Sequence, residues 1–234
     1  MIPITTESAW RGTSDCRNCG IRDMVLFADL DEKDFDLIHA PIDDMDFRAG
    51  ATLFQEGGAA VGVFTLRSGM IKLVRSTADG RQRIVRVLRP GDVVGLEALS
   101  DARYDTDAVA LTEVLVCRIP LSVVHDLAAQ SPRLHKRMME KWSRSLKDAD
   151  DWLADLNFGT ARIRVSNFIL KMRSQTDAEI ATIFAREDMG AMLDLKMETV
   201  SREVSALVRE QVIEPLDKAG RVYRLLRLKD LQSA

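Results

Sequence analysis

Cysteine is scarce in this chain: 234 residues hold only Cys16, Cys19 and Cys117. An odd number so small cannot form a disulfide scaffold, and a reducing cytoplasm is the expected compartment. No apolar run reaches the roughly 18 residues a membrane-spanning helix needs, so no membrane partner is expected. The opening Met1-Ile2-Pro3-Ile4-Thr5-Thr6-Glu7 lacks the basic and apolar regions of a secretory signal. A basic excess is missing too, with 33 Lys+Arg against 36 Asp+Glu and a formal net charge of −3. Taken alone, that balance argues against a nucleic-acid partner. Histidine occurs only at His39, His125 and His135, and none neighbours a Gly-rich or nucleophile motif. This argues against a thiol-dependent enzyme, and no catalytic residue is assigned. The remaining composition, 46% hydrophobic and 29% charged, is that of a globular protein of one large or two small domains.

The charge is unevenly placed. Residues 1–159 carry 20 Lys+Arg and 25 Asp+Glu, whereas residues 160–234 carry 13 and 11. Any surface for a polyanion therefore belongs to the C-terminal third.

From Met45 to Pro120, short Val-, Leu-, Ile-, Phe- and Thr-rich runs are punctuated by glycines at 50, 57–58, 69, 80, 91 and 95. Turn signals at this spacing predict many short antiparallel strands in a sandwich or barrel. Ala78-Asp79-Gly80-Arg81 predicts a hairpin between Met70–Thr77 and Gln82–Leu88, because Asp-Gly suits the positive φ of a tight turn. A long helix follows, with Ser131-Pro132 as N-cap and first helical residue. Leu134, Met138, Trp142, Leu146, Ala149, Leu153 and Leu156 recur on it at steps of three and four. A seam of that length predicts a helix that meets its own copy in a dimer. Asn157-Phe158-Gly159-Thr160 ends the pattern as a hinge.

Beyond the hinge, one helix is marked by Ile163, Val165, Phe168, Ile169 and Met172, and two short ones cover Glu187–Leu193 and Met197–Glu210. A hairpin signal at Lys218-Ala219-Gly220-Arg221 completes a winged helix-turn-helix. On the second short helix, Val200, Val204, Leu207 and Val208 share one face, while Glu198, Thr199, Ser201, Arg202 and Ser205 share the other. Arg suits bidentate contact with guanine, Glu accepts from cytosine, and Ser serves base or phosphate. Glu198, Ser201 and Arg202 are thus candidate base readers. Lys196, Thr199, Arg209, Arg221 and Arg224 are candidate contacts to the DNA backbone, which fix register without reading sequence.

The stretch Glu187-Asp188-Met189-Gly190-Ala191-Met192-Leu193-Asp194-Leu195-Lys196-Met197-Glu198-Thr199-Val200-Ser201-Arg202 resembles the helix-turn-helix of the Crp/Fnr family of bacterial transcription regulators. Gly50–Gly57, Leu66–Leu73 and Leu88–Gly95 resemble stretches of that family's cyclic-nucleotide-binding-type β-roll, in family order. The resemblance implies an α+β fold in four parts. These are an N-terminal Cys-containing segment (1–28), a sensor β-roll (29–130), a dimerisation helix (131–158) and a winged helix-turn-helix (159–234). It also implies a cytoplasmic homodimer on double-stranded DNA, with RNA polymerase as a partner.

The branches of the family differ in chemistry. In the cAMP-receptor branch an Arg-Ser pair and a Glu clamp the cyclic phosphate; aligned back from Ile119, those positions fall on Tyr104, Asp105 and near Leu96. An acid there repels phosphate, which argues against cAMP. In the FNR-like branch four thiolates hold an iron–sulfur cluster. Cys16-Arg17-Asn18-Cys19 and Val116-Cys117-Arg118-Ile119-Pro120 resemble three of the ligand sites, but Val25 stands where the remaining cysteine is expected. Asp23, another carboxylate or an external ligand would have to complete the set. A Cys16–Cys19 redox couple and inert thiols are further open readings. Met197 before Glu198-Thr199, together with Ser201-Arg202, resembles the FNR-like reading helix and implies half-sites like TTGAT. Ala149 stands where that branch carries an Asp on the dimer seam, so dimerisation without a cluster is expected. A cyclic-nucleotide-type binding module without DNA function is the alternative.

Overall fold

The computed structural model describes residues 10–14, 20–21, 34, 38, 40–77, 80, 82–174 and 177–232. The fold is α+β and forms two compact units, Met1–Thr77 with Val85–Lys147 and Ala78–Ile84 with Asp148–Ala234.

The β-roll is built from strands β1 (Trp10–Thr13), β2 (Asp43–Phe47), β3 (Thr52–Phe54), β4 (Gly62–Ser68), β5 (Ile71–Ser76), β6 (Gln82–Leu88), β7 (Val93–Val94), β8 (Asp107–Ala110) and β9 (Val114–Pro120). They form two sheets, ordered β1-β2-β9-β4-β7 and β3-β8-β5-β6. The antiparallel register sets Val116 opposite Met45 and Leu66, and all three are buried. One residue along, Cys117 lies opposite Asp44 and Thr65, on the other face of the pleat. Residues 78, 79 and 81 of the expected hairpin turn lie outside the described residues, while its two strands occur as β5 and β6.

Helix α1 (Leu121–Gln130) buries Val123, Val124 and Leu127 in the core of the roll. Helix α2 spans Pro132–Asn157, and the Ser131 hydroxyl accepts from the Leu134 N–H at 3.4 Å, the N-cap role read from the sequence. The seam expectation needs correction at its start. Leu134 is 1% exposed within the core of the roll, and Met138 and Trp142 pack against that core. Periodicity reports that a helix face is apolar, not what covers it. Beyond those turns Leu146 and Leu153 stand 66% and 61% exposed, and Met139, seven residues before Leu146, is 49% exposed. Polar ties hold the same stretch of helix: buried Lys141 donates to the Gly91 carbonyl at 2.6 Å, and Arg86 bonds Ser145. Burial lowers the Lys141 pKa.

The second unit holds α3 (Ala161–Lys171), α4 (Arg186–Leu193), α5 (Met197–Arg209) and α6 (Leu228–Gln232), with strands β10 (Ile180–Thr182), β11 (Ile213–Pro215) and β12 (Val222–Leu225). The sheet order is β10-β12-β11. Strand β10, only three residues long, gives no period from which it could be read. Phe168 centres the apolar core, edge-on to Trp152 at 6.4 Å and to Phe184 at 5.2 Å.

One turn leaves no room for a side chain. Gly69, between β4 and β5, has φ +83°, and a Cβ there would collide with the Glu113 carbonyl. Gly69→Ala is expected to destabilise the protein by about 3 kcal/mol in denaturant unfolding, from left-handed strain plus backbone displacement.

Candidate nucleic-acid interface and the roll cysteine

Helices α4 and α5 meet through a tight turn whose geometry is set by two residues. Asp194 adopts the left-handed conformation (φ 54°) that stops α4, and the Leu195 N–H reaches back to the Gly190 carbonyl at 3.1 Å. A Cβ on Gly190 would sit 2.6 Å from the Leu195 carbonyl oxygen, so the close approach of turn and helix requires glycine there. Val200, Val204 and Leu207 are 0–2% exposed, beside buried Met189 and Leu193. Their burial turns the opposite face outward: Glu198, Arg202 and Ser205 are exposed, with Thr199 and Ser201 half-buried between them.

The expected contact residues occupy this face and its margins. Lys196 is the exposed N-cap residue of α5, and Arg209 lies in its last turn. The Arg202 guanidinium lies 3.5 Å from the Glu203 carboxylate and is 69% exposed. An exposed pair of this kind is worth at most about 1 kcal/mol and yields readily to a guanine edge. In the wing, Arg221 is exposed, and Arg224 pairs with Glu214 at 3.5 Å. Asp217 shapes the wing turn by accepting from the N–H groups of Arg221 and Val222, both at 2.8 Å. Those bonds, led by the one from Val222, hold its carboxyl below the usual range.

The sequence reading missed the groups that brace the reading head. Arg164 donates to the Leu193 carbonyl at 2.9 Å, fixing α3 to the end of α4. Arg186 donates to the Tyr223 hydroxyl at 2.8 Å and stacks over its ring, fixing α4 to the wing strand. Neither pairing has a local signal, since its partners lie 29 and 37 residues apart.

Of the cysteine ligand candidates, Cys16 and Cys19 lie outside the described residues, as does Asp23. Cys117 on β9 is 8% exposed, and its thiol donates to the Asp44 carboxylate at 3.5 Å. Arg67 donates to both oxygens of that carboxylate, at 3.0 and 2.9 Å, and the Ser14 hydroxyl bonds it as well. Burial, foremost, pushes the Cys117 thiol up to about 11. Among the described residues no group of three His, Cys, Asp or Glu could hold a metal. An iron–sulfur cluster needs thiolate ligands; of the candidate thiols, Cys117 alone lies among the described residues, buried and bonded to the Asp44 carboxylate.

The reading helix, its wing and the roll define a class: a DNA-binding transcription regulator with a sensor-type N-terminal unit. The cyclic nucleotide-binding domain family matches residues 44–131 and the Crp-like helix-turn-helix domain family residues 163–234. The chain belongs to the Crp/Fnr family of regulators. It is 27% identical over 218 residues to the transcriptional activator protein FnrA of Stutzerimonas stutzeri, covering 88% of each chain. It is 29% identical over 194 residues to the fumarate and nitrate reduction regulatory protein of Escherichia coli K12, covering 80% of this chain and 78% of that protein. Among solved structures it resembles FixK2 of Bradyrhizobium japonicum, with a TM-score of 0.73 and 25% identity over 82% of this chain and 96% of that one. Among the described residues no helix is long and apolar enough to cross a membrane.

The Cys117 environment makes a pH-dependent prediction. A thiol with a raised pKa is protonated at neutral pH, and its thiolate appears only as pH approaches about 11. In Cys16→Ser/Cys19→Ser protein, a thiol reagent at pH 8 should modify Cys117 only after denaturation. Rapid labelling of the folded variant would show that the thiol is not held this way.

Proposed function

We propose that the chain acts as a homodimer on a two-fold DNA site with TTGAT-like half-sites, in the cytoplasm, regulating transcription by contact with RNA polymerase. Glu198, Ser201 and Arg202 read bases in the major groove, and Lys196, Thr199, Arg209, Arg221 and Arg224 hold the phosphate backbone. The observation that carries this reading is the face of α5, whose apolar back is sealed while Glu198 and Arg202 stand exposed in its first two turns. That is where a recognition helix meets base edges. The gating signal acts on the N-terminal unit, as redox or oxygen chemistry at the cysteines or as a small molecule at the roll.

The dimer contact is carried by the outward stripe Met139, Leu146 and Leu153, spaced by seven, with Ala149 between. Seven-residue spacing is one heptad, about two helical turns, the repeat of a two-helix seam. Leu134, Met138 and Trp142 serve the roll core instead.

Two measurements test the reading. Arg202→Ala should cost about 1–3 kcal/mol, roughly 5- to 150-fold, on a TTGAT duplex, and should relax preference at one base position. Lys196→Ala should weaken all duplexes alike and lower the salt dependence by about one ion. An Arg202→Ala protein that binds TTGAT as the parent does would sink the base-reading role.

Sedimentation equilibrium tests the dimer. The cofactor-free protein should have a dimer mass, and Leu146→Asp with Leu153→Asp should convert it to monomer. A concentration-independent monomer mass for the unaltered protein would overturn the seam.

A further inference from the structure

We propose that Tyr104 is a built-in occupant of the β-roll. Its phenol fills interior space that a cyclic nucleotide-binding domain would give to a small molecule, so this roll is set by its own side chain and takes no free nucleotide.

The geometry is that of a bound ligand. Tyr104 is 2% exposed, although it lies in the short loop between the 3₁₀ turn Leu96–Leu99 and β8. Its ring stacks on Phe54 with centroids 3.7 Å apart and planes 11° from parallel, and Phe54 in turn meets Phe64 at 5.8 Å. The hydroxyl donates to the Gly62 carbonyl at 2.7 Å and accepts from the Val61 N–H at 3.2 Å. Both hydrogen-bonding roles of the phenol are therefore filled. Gly95 makes room for it: its φ is +78°, and a Cβ there would lie 3.0 Å from the Tyr104 ring and 3.4 Å from Phe54.

Backbone hydrogen bonds pin the loop that carries the ring. The Gly57 N–H donates to the Tyr104 carbonyl at 2.8 Å, the Tyr104 N–H to Gly58 at 3.1 Å, and the Ala60 N–H to Ala102 at 2.8 Å. Arg103, the adjacent cation, is exposed and bonds the Gly57 carbonyl.

The charges nearby are wrong for a phosphodiester. Asp105, next in the chain, is exposed, and the Asp107 carboxylate accepts from the Glu56 N–H at 2.7 Å. A Glu97 carboxylate oxygen is buried without a hydrogen-bond partner, and Glu97 acts electrostatically on Tyr104. Arg118, a cation that acts on the phenol, is held by Asp43 at 3.1 Å. A neutral aromatic alcohol suits this interior, whereas a cyclic phosphate would meet carboxylates. The occupancy concerns the roll alone, so the DNA-reading assignment neither supports nor undermines it.

The full-length protein is titrated with cAMP and with cGMP by calorimetry. No saturable binding is expected, and operator affinity should be the same with and without nucleotide. Tyr104→Gly should leave an aromatic cavity and lower Tm by roughly 10 °C. Added p-cresol, the missing side chain as a free molecule, should recover about half of that fall in a saturable manner. Tyr104→Phe keeps the ring and should fold with no response to p-cresol. Saturable nucleotide binding to the unaltered protein overturns the proposal, as does a folded Tyr104→Gly that ignores p-cresol. The nucleotide titration needs no variant, so it decides the matter even where Tyr104→Gly does not fold.

Discussion

Burial of the apolar back of α5 is the constraint on which the DNA-binding unit depends. Val200, Val204 and Leu207 have no exposure to lose, so rotating the helix by even one position would carry a buried valine or leucine into water. Full burial of such a side chain is worth about 1.5–3 kcal/mol, and three of them acting together hold the helix azimuth firmly. Glu198 and Arg202 are four residues apart and so share the outward face by geometry alone. The braces then act along other directions: Gly190 sets how closely the turn approaches α4, Arg164 ties α3 to the end of α4, and Arg186 ties α4 to Tyr223 in the wing. The exposed side chains of this face need no mutual contacts, because the scaffold positions them from behind.

The roll solves a different problem. Its β-strands enclose an interior that must be filled, since empty interior volume costs stability. A small molecule can fill it, making folding and signalling one event, or a side chain can fill it permanently. Tyr104, stacked on Phe54 with both hydroxyl roles used, is the second arrangement. A filled interior moves the search for a signal to the outer face of the β1-β2-β9-β4 sheet. There Asp44 on β2 gathers Arg67, Ser14 and Cys117 from three neighbouring segments. In its present state the Cys117 thiol is protonated and bonded, and any thiol chemistry there would first have to disturb the Asp44 node.

What was legible in the sequence followed the physics of local signals. Glycine punctuation marked the strands of the roll, and the two faces of Met197–Arg209 were visible because a 3.6-residue period sorts apolar from polar residues. The Ser131-Pro132 pair marked the start of α2 because capping chemistry is local. The seam on that helix was visible as a stripe but not divisible, since Leu134 and Leu146 look alike until the roll is seen to cover one and not the other. Tyr104 lies in a loop with no period to read, and its partners Gly62 and Val61 are 42 and 43 residues away. The Asp44–Cys117 contact spans 73 residues. Such pairings are created by sheet register, and no window of sequence contains both partners.

The acidic balance of the chain, which taken alone argues against a nucleic-acid partner, is consistent with selective reading. Non-specific affinity for DNA is almost entirely electrostatic, whereas discrimination between sites comes from base edges. The first 159 residues carry five more acids than bases, while the last 75 carry two more bases than acids. At physiological salt a charge is felt over only about 8 Å, so acids beyond that distance act weakly on the proposed contacts of Arg202 or Lys196. What they do reduce is the attraction of the whole molecule for arbitrary phosphate. Weakening non-specific binding while leaving base contacts intact raises the ratio between them, and that ratio, set against the great excess of competing sites, determines whether a regulator occupies its own operator.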